Sequence, residues 1–254
     1  QDGNPNTGAA GAGINNDNGD LTLEGTVVGY NVASDKGGGI FSDSSDSGSK
    51  LTLIASTISN NTANEGGGIY YSNSSDKDNE IRGSTISDNK ARDGGGIYNS
   101  DLNEKLIVTD SAITGNDATG SGGGIYNLNV ATLSSTNVVK NGAARVGGGV
   151  DSTGTLTLDN GSLISENTSG SSGGGLFISS GKATIAGSSV VNLNKAGSFG
   201  AGVFISGNDT VVELTTGFIS GNEAGDQGGG VFLNGGTLKL TGPSSITNNI
   251  ANIA

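Results

Sequence analysis

The 254-residue chain has no cysteine, histidine, methionine or tryptophan and only two prolines. The lack of cysteine excludes a disulfide framework and a thiolate metal site. No apolar run approaches the ~20 residues that a membrane-spanning helix needs, and long stretches of good helix formers are few. What remains is a chain rich in asparagine, serine, threonine and glycine, with 48 glycines. This composition is unlike that of a helical protein.

The chain is acidic, with 24 acidic and 12 basic residues and a formal net charge of -12. Such a chain repels phosphate groups and lacks the Lys and Arg patches that bind nucleic acids. We therefore expect no nucleic-acid partner.

Three sequence elements recur along the chain with a period of about 27 residues. The first is a run of small residues, mostly glycine, before an aliphatic residue, as in the sequence GGGI that ends at Ile97. The second is a short alternating segment, such as LTL from Leu156 to Leu158. The third is an Ile or Val followed three residues later by Asn, as at Ile113 and Asn116.

Alternation of apolar and polar residues over short stretches indicates half-buried strands. Each repeat thus supplies three short strands and three turns, which is one coil of a parallel β-helix whose coils bury their apolar sides against one another. A right-handed wind is the default for parallel β crossovers. We predict an all-β fold with a single domain over residues 1–254, a right-handed parallel β-helix (β-solenoid) of about nine coils.

These elements resemble the repeats of polymorphic outer-membrane proteins and autotransporter passengers, which carry Gly-Gly-Ala-Ile and Phe-x-x-Asn. In this chain the first element reads mostly Gly-Gly-Gly followed by Ile, Val or Leu, and the second has Ile or Val in place of Phe. The resemblance covers almost all of the chain and implies a β-helix. It supports the fold far better than it supports a function.

The recurring asparagine is predicted to form a ladder. Equivalent residues of stacked coils lie in a column, and an Asn side chain can donate its amide to the next coil while accepting from the previous one. We expect a structural role for the nine members: Asn31, Asn61, Asn89, Asn116, Asn141, Asn167, Asn194, Asn222 and Asn249.

The glycines are predicted to serve the bend between the ladder and the next strand. There the chain needs positive φ angles and a close approach of neighbouring backbones, which glycine allows at least cost. A phosphate-binding loop is excluded, because such a loop opens a helix and no helical pattern follows these runs.

A file of aromatic residues follows the glycine runs, one position after the aliphatic residue. If Ile97 points inward, alternation sends Tyr98 outward. An outward apolar stripe marks a partner-binding surface; the alternatives are rings that simply stack along the solenoid, or rings that are internal. The candidate interface residues are Phe41, Tyr70, Tyr98, Tyr126, Phe177, Phe204 and Phe232, and the file is interrupted at Asn15 and Asp151.

No residue is assigned a catalytic role. The chain has no histidine and only three arginines, so a non-enzymatic protein is expected, and a polysaccharide lyase or a glycosidase with paired Asp residues is the remaining alternative. No cofactor is expected except Ca²⁺, which stacked acidic loops could bind with oxygen ligands. The weak calcium candidates, which could equally be solvated surface residues, are Asp43, Asp46, Asp76, Asp78 and Glu80.

The repeats favour an extracellular, cell-surface structural or adhesive solenoid. Near the C-terminus Ile250 and Ile253 stand where other coils have polar residues, and the chain begins and stops at nearly the same phase of the repeat. We therefore expect head-to-tail association with other copies into a fibre. The rival explanation is that the chain is a fragment whose continuation covers this end. The first alternative is a solenoid that binds or processes carbohydrate, with surface glycans as partners. The second is an ice-binding solenoid using the column Thr22, Thr52, Thr132, Thr157 and Thr184.

Overall fold

A computed structural model describes residues 6–44, 50–73, 77–100 and 105–252. Every element in these ranges is a β-strand, and all strand pairs are parallel, as between Ile97, Ile69 and Ile125. The molecule is a right-handed parallel β-helix, which confirms the predicted fold. Within the described ranges no helix has the length and apolar character to cross a membrane.

Three sheets of nine strands each run along the solenoid, in agreement with the predicted nine coils. Sheet 1 follows the glycine runs and contains Ile14–Asp17, Ile40–Ser44, Ile69–Asn73, Ile97–Asn99, Ile125–Asn127, Val150–Ser152, Leu176–Ile178, Val203–Ser206 and Val231–Asn234. Sheet 2 holds the alternating segments Leu21–Glu24, Leu51–Ile54, Asn79–Arg82, Lys105–Thr109, Val130–Ser134, Thr155–Asp159, Lys182–Ile185, Val211–Thr215 and Thr237–Thr241. Sheet 3 precedes the ladder and contains Val27–Gly29, Thr57–Ser59, Thr85–Ser87, Ala112–Thr114, Asn137–Val139, Leu163–Ser165, Val190–Asn192, Phe218–Ser220 and Ser245–Thr247.

A fourth, narrower strip of strands follows the ladder asparagines and was not predicted. It begins with the pair Asn6–Ala10 and Asn31–Lys36. Single bridges through Thr62 connect this pair to the rest of the strip. The remaining seven strands have two residues each: Lys90–Ala91, Asp117–Ala118, Gly142–Ala143, Thr168–Ser169, Lys195–Ala196, Glu223–Ala224 and Ile250–Ala251.

The core is built from the four predicted aliphatic columns. In one coil these columns contribute Ile97, Leu106, Val108 and Ile113, all of them buried. Their equivalents in the other inner coils pack with them into one continuous cluster. Burying a side chain of this size stabilises a fold by ~1.5–3 kcal/mol, so the repeated columns supply a sufficient core without metal or disulfide.

The three glycines of a run meet two different requirements. Gly94 has a φ of 65°, in the left-handed region. At Gly95 and Gly96 an added Cβ would lie 2.5 and 2.6 Å from carbonyl oxygens of the next coil. The predicted explanation, a tight bend together with close backbone approach, is confirmed.

Candidate functional site

The asparagine ladder forms as predicted. The Asn116 side chain donates to the Asn141 oxygen at 3.0 Å and to the Ile86 carbonyl oxygen at 3.0 Å. Its own oxygen accepts from the backbone and side-chain nitrogens of Asn89. The same donation to the next coil runs unbroken from Asn31 to Asn249. Because each ladder asparagine from Asn31 to Asn222 donates its amide to the asparagine of the next coil, the ladder holds the coils together.

A second polar column, which was not predicted, consists of hydroxyl residues two positions before the Ile or Val of the asparagine element. The Ser84 backbone nitrogen donates to the Ser111 hydroxyl at 3.1 Å, and the Ser84 hydroxyl donates to the Arg82 carbonyl oxygen. The recurrence of Ser or Thr at this spacing could have revealed the column. The members with such bonds are Thr26, Ser56, Ser84, Ser111, Thr136, Ser162 and Ser244.

In the first half of the solenoid, a third column of buried polar residues lies inside the core. Its members stand two positions after the aliphatic residue of each sheet 1 strand. The Asn99 side chain donates to the Asn127 oxygen at 2.8 Å, and the Asn127 side chain donates to the Ser152 hydroxyl at 2.9 Å. Tyr71 lies in the same column. Its ring is fully buried and its hydroxyl has no hydrogen-bond partner among the described residues. Burial raises the pKa of the Tyr71 hydroxyl far above its ordinary value.

The aromatic file lies on the outer face of sheet 1, as the alternation predicted. Its rings stack nearly parallel, with centroids 5.0 Å apart for Tyr70 and Tyr98 and 4.9 Å for Phe177 and Phe204. Neighbouring rings cover each other's faces, so that Tyr70 and Phe204 are only 4% and 7% exposed. The file therefore presents mainly ring edges to solvent. Whether it binds a partner stays a prediction.

Charged side chains flank the tyrosines of the file. The Lys36 ammonium group lies 4.7 Å from the Tyr70 ring centroid and pairs with Glu65. Arg92 bridges Glu65 at 3.1 Å and Asp93 at 2.8 Å. A hydrogen bond with Tyr70, and then the nearby acidic charges, raise the pKa of Lys36. The flank is a chain of partly exposed ion pairs across three coils.

Asp151 occupies the interruption of the file, in register between Tyr126 and Phe177. Its side chain is 6% exposed. Burial raises the pKa of Asp151 to about 7, and the charge of Asp93 adds to the rise, whereas a hydrogen bond with Ser121 and the charge of Arg145 oppose it. The Asp93 carboxylate also accepts a hydrogen bond from the Ser121 backbone nitrogen, at 2.9 Å.

The structure thus brings two carboxyl groups to Ser121 from coils that are well separated in sequence. Asp93 forms an ion pair with Arg92 at 2.8 Å, whereas burial disfavours charge on Asp151. Carboxyl groups in contrasting environments are typical of acid–base sites. A catalytic acid must also reach its substrate, and Asp151, at the interruption of the aromatic file, is only 6% exposed. The chemistry that this arrangement supports is a response to pH.

Three of the five calcium candidates lie in the described part of the chain, namely Asp43, Asp78 and Glu80. Asp78 accepts a hydrogen bond from the Lys105 backbone nitrogen, and Glu80 pairs with Lys50 at 3.0 Å. Asp43 lies at the end of its sheet 1 strand, whereas Asp46 and Asp76 lie outside the described residues. No group of three metal-ligating side chains occurs in the portion of the chain that is described. Calcium binding stays an untested prediction.

The last coil exposes core columns that are covered elsewhere. Leu240 is 49% exposed, whereas its equivalent one coil earlier, Leu214, is completely buried. Ile250, on the fourth strip, is 55% exposed and stands in register with Glu223. Ile253, predicted to accompany Ile250, lies outside the described residues. In the last described coil, Leu240 is thus left uncovered by the described residues.

Exposed apolar side chains are concentrated at both ends of the described solenoid. Of the seven large ones in the described ranges, six belong to the first or last coil and only Leu193 lies between them. Four of the six belong to the last coil, whereas Tyr30 stands, like Leu193, directly before a ladder asparagine. The six are Val27, Tyr30, Leu233, Leu240, Ile246 and Ile250.

The proposed threonine column of sheet 2 is in register but broken. Thr22 and Thr52 are adjacent, but the next positions of the row are Glu80 and Ile107. A flat, regular array of hydroxyl groups, as ice binding would require, is therefore absent from this row.

Comparisons with models of protein families, with curated proteins and with solved structures find no match to this chain. The functional argument is carried by the fold and by the geometry of the surfaces described above. A fold by itself does not define an activity, so the ends and the aromatic file are the features that bear on function.

Proposed function

We propose that this chain is a non-enzymatic structural solenoid that associates head to tail through its two end coils. The observation that carries this proposal is the exposed core cross-section of the last coil, represented by Leu240 beside the buried Leu214. Apolar surface of this kind is stabilised by removal from water at roughly 25 cal/mol per Å². Open strand edges beside it offer unpaired backbone groups to a further strand.

The first coil of a second copy fits this end because both coils belong to one repeat. Leu23 and Leu240 lie in the same column of sheet 2, and Ile14 and Val231 lie in the same column of sheet 1. A second copy in register would continue all these columns. Such a contact joins different surfaces of the two copies, so it propagates into a fibre if it does not close into a ring.

Charge also favours this partner. The first coil carries the acidic residues Asp17, Asp20 and Glu24, whereas the last coil carries only Lys239. Ion pairs between neighbouring coils are already used on sheet 2, where Lys239 lies 3.3 Å from Glu213. In the proposed junction Lys239 faces the acidic first coil of the next copy. Each such pair is worth little in energy but contributes to register.

We place this fibre outside the cell, at the cell surface, in a structural or adhesive role. The resemblance of the repeats to polymorphic outer-membrane proteins and autotransporter passengers supports this setting. A carbohydrate-binding role is less favoured, because sugars stack on the faces of aromatic rings and the rings of the file cover one another's faces.

Light scattering during size-exclusion chromatography over a range of protein concentrations tests the association. We expect the mass of the unmodified chain to rise with concentration, and microscopy to show rods that lengthen along the solenoid axis. The variant Leu240→Asp should remain a monomer. Leu193→Asp, which removes an exposed apolar side chain from a middle coil, is the matched control and should assemble normally. A concentration-independent monomer for the unmodified chain would refute the proposal.

A further inference from the structure

Three consecutive members of the aromatic file are tyrosines. The centroids of Tyr70 and Tyr98 are 5.0 Å apart, and those of Tyr98 and Tyr126 are 4.9 Å apart, with interplanar angles of 20° and 22°. The neighbours of this set are Phe41 and Asp151, neither of which is a phenol. Parallel strands in register hold three phenol rings, one per coil, at van der Waals separation.

The other two of the five tyrosines in the chain are isolated from this set. Tyr71 points to the opposite face of sheet 1 and is buried in the core. Tyr30 lies in a turn of the first coil and is 67% exposed. Chemistry that requires adjacent phenols is therefore possible within one molecule only in the file.

The charges around the three rings differ along the file. Lys36 places a positive charge over Tyr70. Burial raises the pKa of Tyr98 and Tyr126, and the charges of Glu65 and Asp93 raise both further, with Asp151 also acting on Tyr126. Negative charges stabilise the positive charge that develops when a ring loses an electron, whereas a cation opposes it. Arg92, which pairs with Glu65 and Asp93, places a positive charge beside Tyr98 and Tyr126 as well, so the charges do not rank the three phenols.

We propose that Tyr70, Tyr98 and Tyr126 form an oxidative coupling site, at which peroxide acting through a haem peroxidase joins neighbouring rings into dityrosine. The oxidised haem removes one electron and one proton from each of two phenols. The two radicals form a carbon–carbon bond at positions ortho to the hydroxyl groups. The hydrogens on these two carbons then move to the oxygens and restore both phenols, while the peroxide leaves as two water molecules.

The product is a covalent cross-link between adjacent coils. A solenoid opens locally because each coil contacts only its neighbours, and a bond across two coils restricts such opening. The coupling joins parts of a single chain, so it does not depend on head-to-tail association.

The test treats dilute protein with horseradish-type haem peroxidase and H₂O₂, followed by dityrosine fluorescence and mass spectrometry of tryptic peptides. Cleavage after Lys and Arg separates the three rings into peptides 51–77, 93–105 and 106–140. We expect two cross-linked pairs, 51–77 with 93–105 and 93–105 with 106–140, each lighter than the sum of its two peptides by two hydrogen atoms. The background variant Tyr30→Phe removes the exposed ring that would couple different molecules.

The variant Tyr98→Phe keeps the stacked ring but removes the middle phenol, which leaves Tyr70 and Tyr126 two coils apart. We expect complete loss of both cross-linked pairs, with unchanged circular dichroism. Tyr71→Phe is the matched control and should leave both pairs in place. Oxidation of the Tyr30→Phe background that yields no cross-link within one molecule, or cross-links that persist when Tyr98→Phe is added, would overturn the assignment.

Discussion

The side-chain nitrogen of Asn116 lies 3.0 Å from the side-chain oxygen of Asn141 in the next coil and 3.0 Å from the carbonyl oxygen of Ile86 in the preceding coil. One buried amide thus connects three levels of the solenoid. Because a buried polar group without a partner is costly, each ladder residue depends on the ones above and below it. The ladder therefore fixes the register of the stack.

Replacing Asn116 by Ala should lower the free energy of unfolding by about 1–3 kcal/mol, because the paired nitrogens of Asn89 lose their acceptor. Chemical denaturation followed by circular dichroism measures the change. Asn137→Ala, at an exposed position of sheet 3, is the control and should have little effect. Equal stabilities for the two variants would mean that the column is solvated.

Gly123→Ala should prevent normal stacking of the middle coils. A Cβ at this position would lie 2.5 Å from the Gly148 carbonyl oxygen, and neither backbone can move without breaking the parallel ladder. Gly142→Ala is the matched control, because its column already holds Asp117 and Thr168. That variant should be as stable as the unmodified chain or more stable by about 0.5–1 kcal/mol. Similar thermal unfolding of the two variants would contradict this explanation of the glycine runs.

Tyr71→Phe should leave stability unchanged or raise it, since the buried Tyr71 hydroxyl has no partner and phenylalanine retains the ring. Tyr71→Ser should lower the free energy of unfolding by about 3–5 kcal/mol, as expected for loss of a buried aromatic ring. Denaturant titration of both variants separates the contribution of the ring from that of the hydroxyl. A marked loss of stability in Tyr71→Phe would show that the hydroxyl is hydrogen-bonded after all.

Replacing Phe177, Phe204 and Phe232 together by Ser should leave the β-helix intact, because these rings lie outside the core columns. Loss of their stacking should still lower stability, by about 0.5–1.5 kcal/mol for each ring pair. If the file is an interface, the variant should also associate more weakly with a partner or another copy. Circular dichroism and light scattering report on the two effects separately, and failure to fold would place the rings among the core residues.

The parts of this structure that could be predicted from sequence are those in which one residue type recurs at one position. Asn116 and Gly95 are of this kind, because a column repeats the same requirement in every coil. The strand Lys90–Ala91 was missed because two residues show no alternation. The hydroxyl column through Ser84 was visible in the sequence, but its Ser and Thr residues resembled those of exposed turns.

The environment of Asp151 could not be predicted, because it arises from contacts between coils. Its hydrogen bond with Ser121 and its repulsion by Asp93 depend on side-chain directions that the repeat does not specify. The covering of Tyr70 likewise depends on how neighbouring rings turn toward each other. The sequence predicts on which face of sheet 1 Tyr70 and Asp151 lie, whereas contacts between coils determine how deeply they are buried and raise the pKa of Asp151.

Asp151 should make the solenoid less stable as pH rises toward neutrality. Its pKa is raised to about 7 in the folded protein, whereas an unfolded Asp titrates near ~3.9. Between these values the folded state holds the proton more tightly, so the free energy of unfolding falls as pH rises through this interval and levels off above about 7. Each unit of pKa difference corresponds to roughly 1.4 kcal/mol.

The variant Asp151→Asn isolates this contribution because it keeps the size of the side chain and cannot ionise. Compared with the unmodified chain, it should gain stability progressively from pH 4 to about 8. Asp88→Asn, in an exposed turn, corrects for the removal of one negative charge from an acidic protein. Denaturation curves at several pH values give the difference directly. If the stability difference between Asp151→Asn and the unmodified chain does not change with pH, the Asp151 carboxyl group remains ionised at the interruption of the aromatic file.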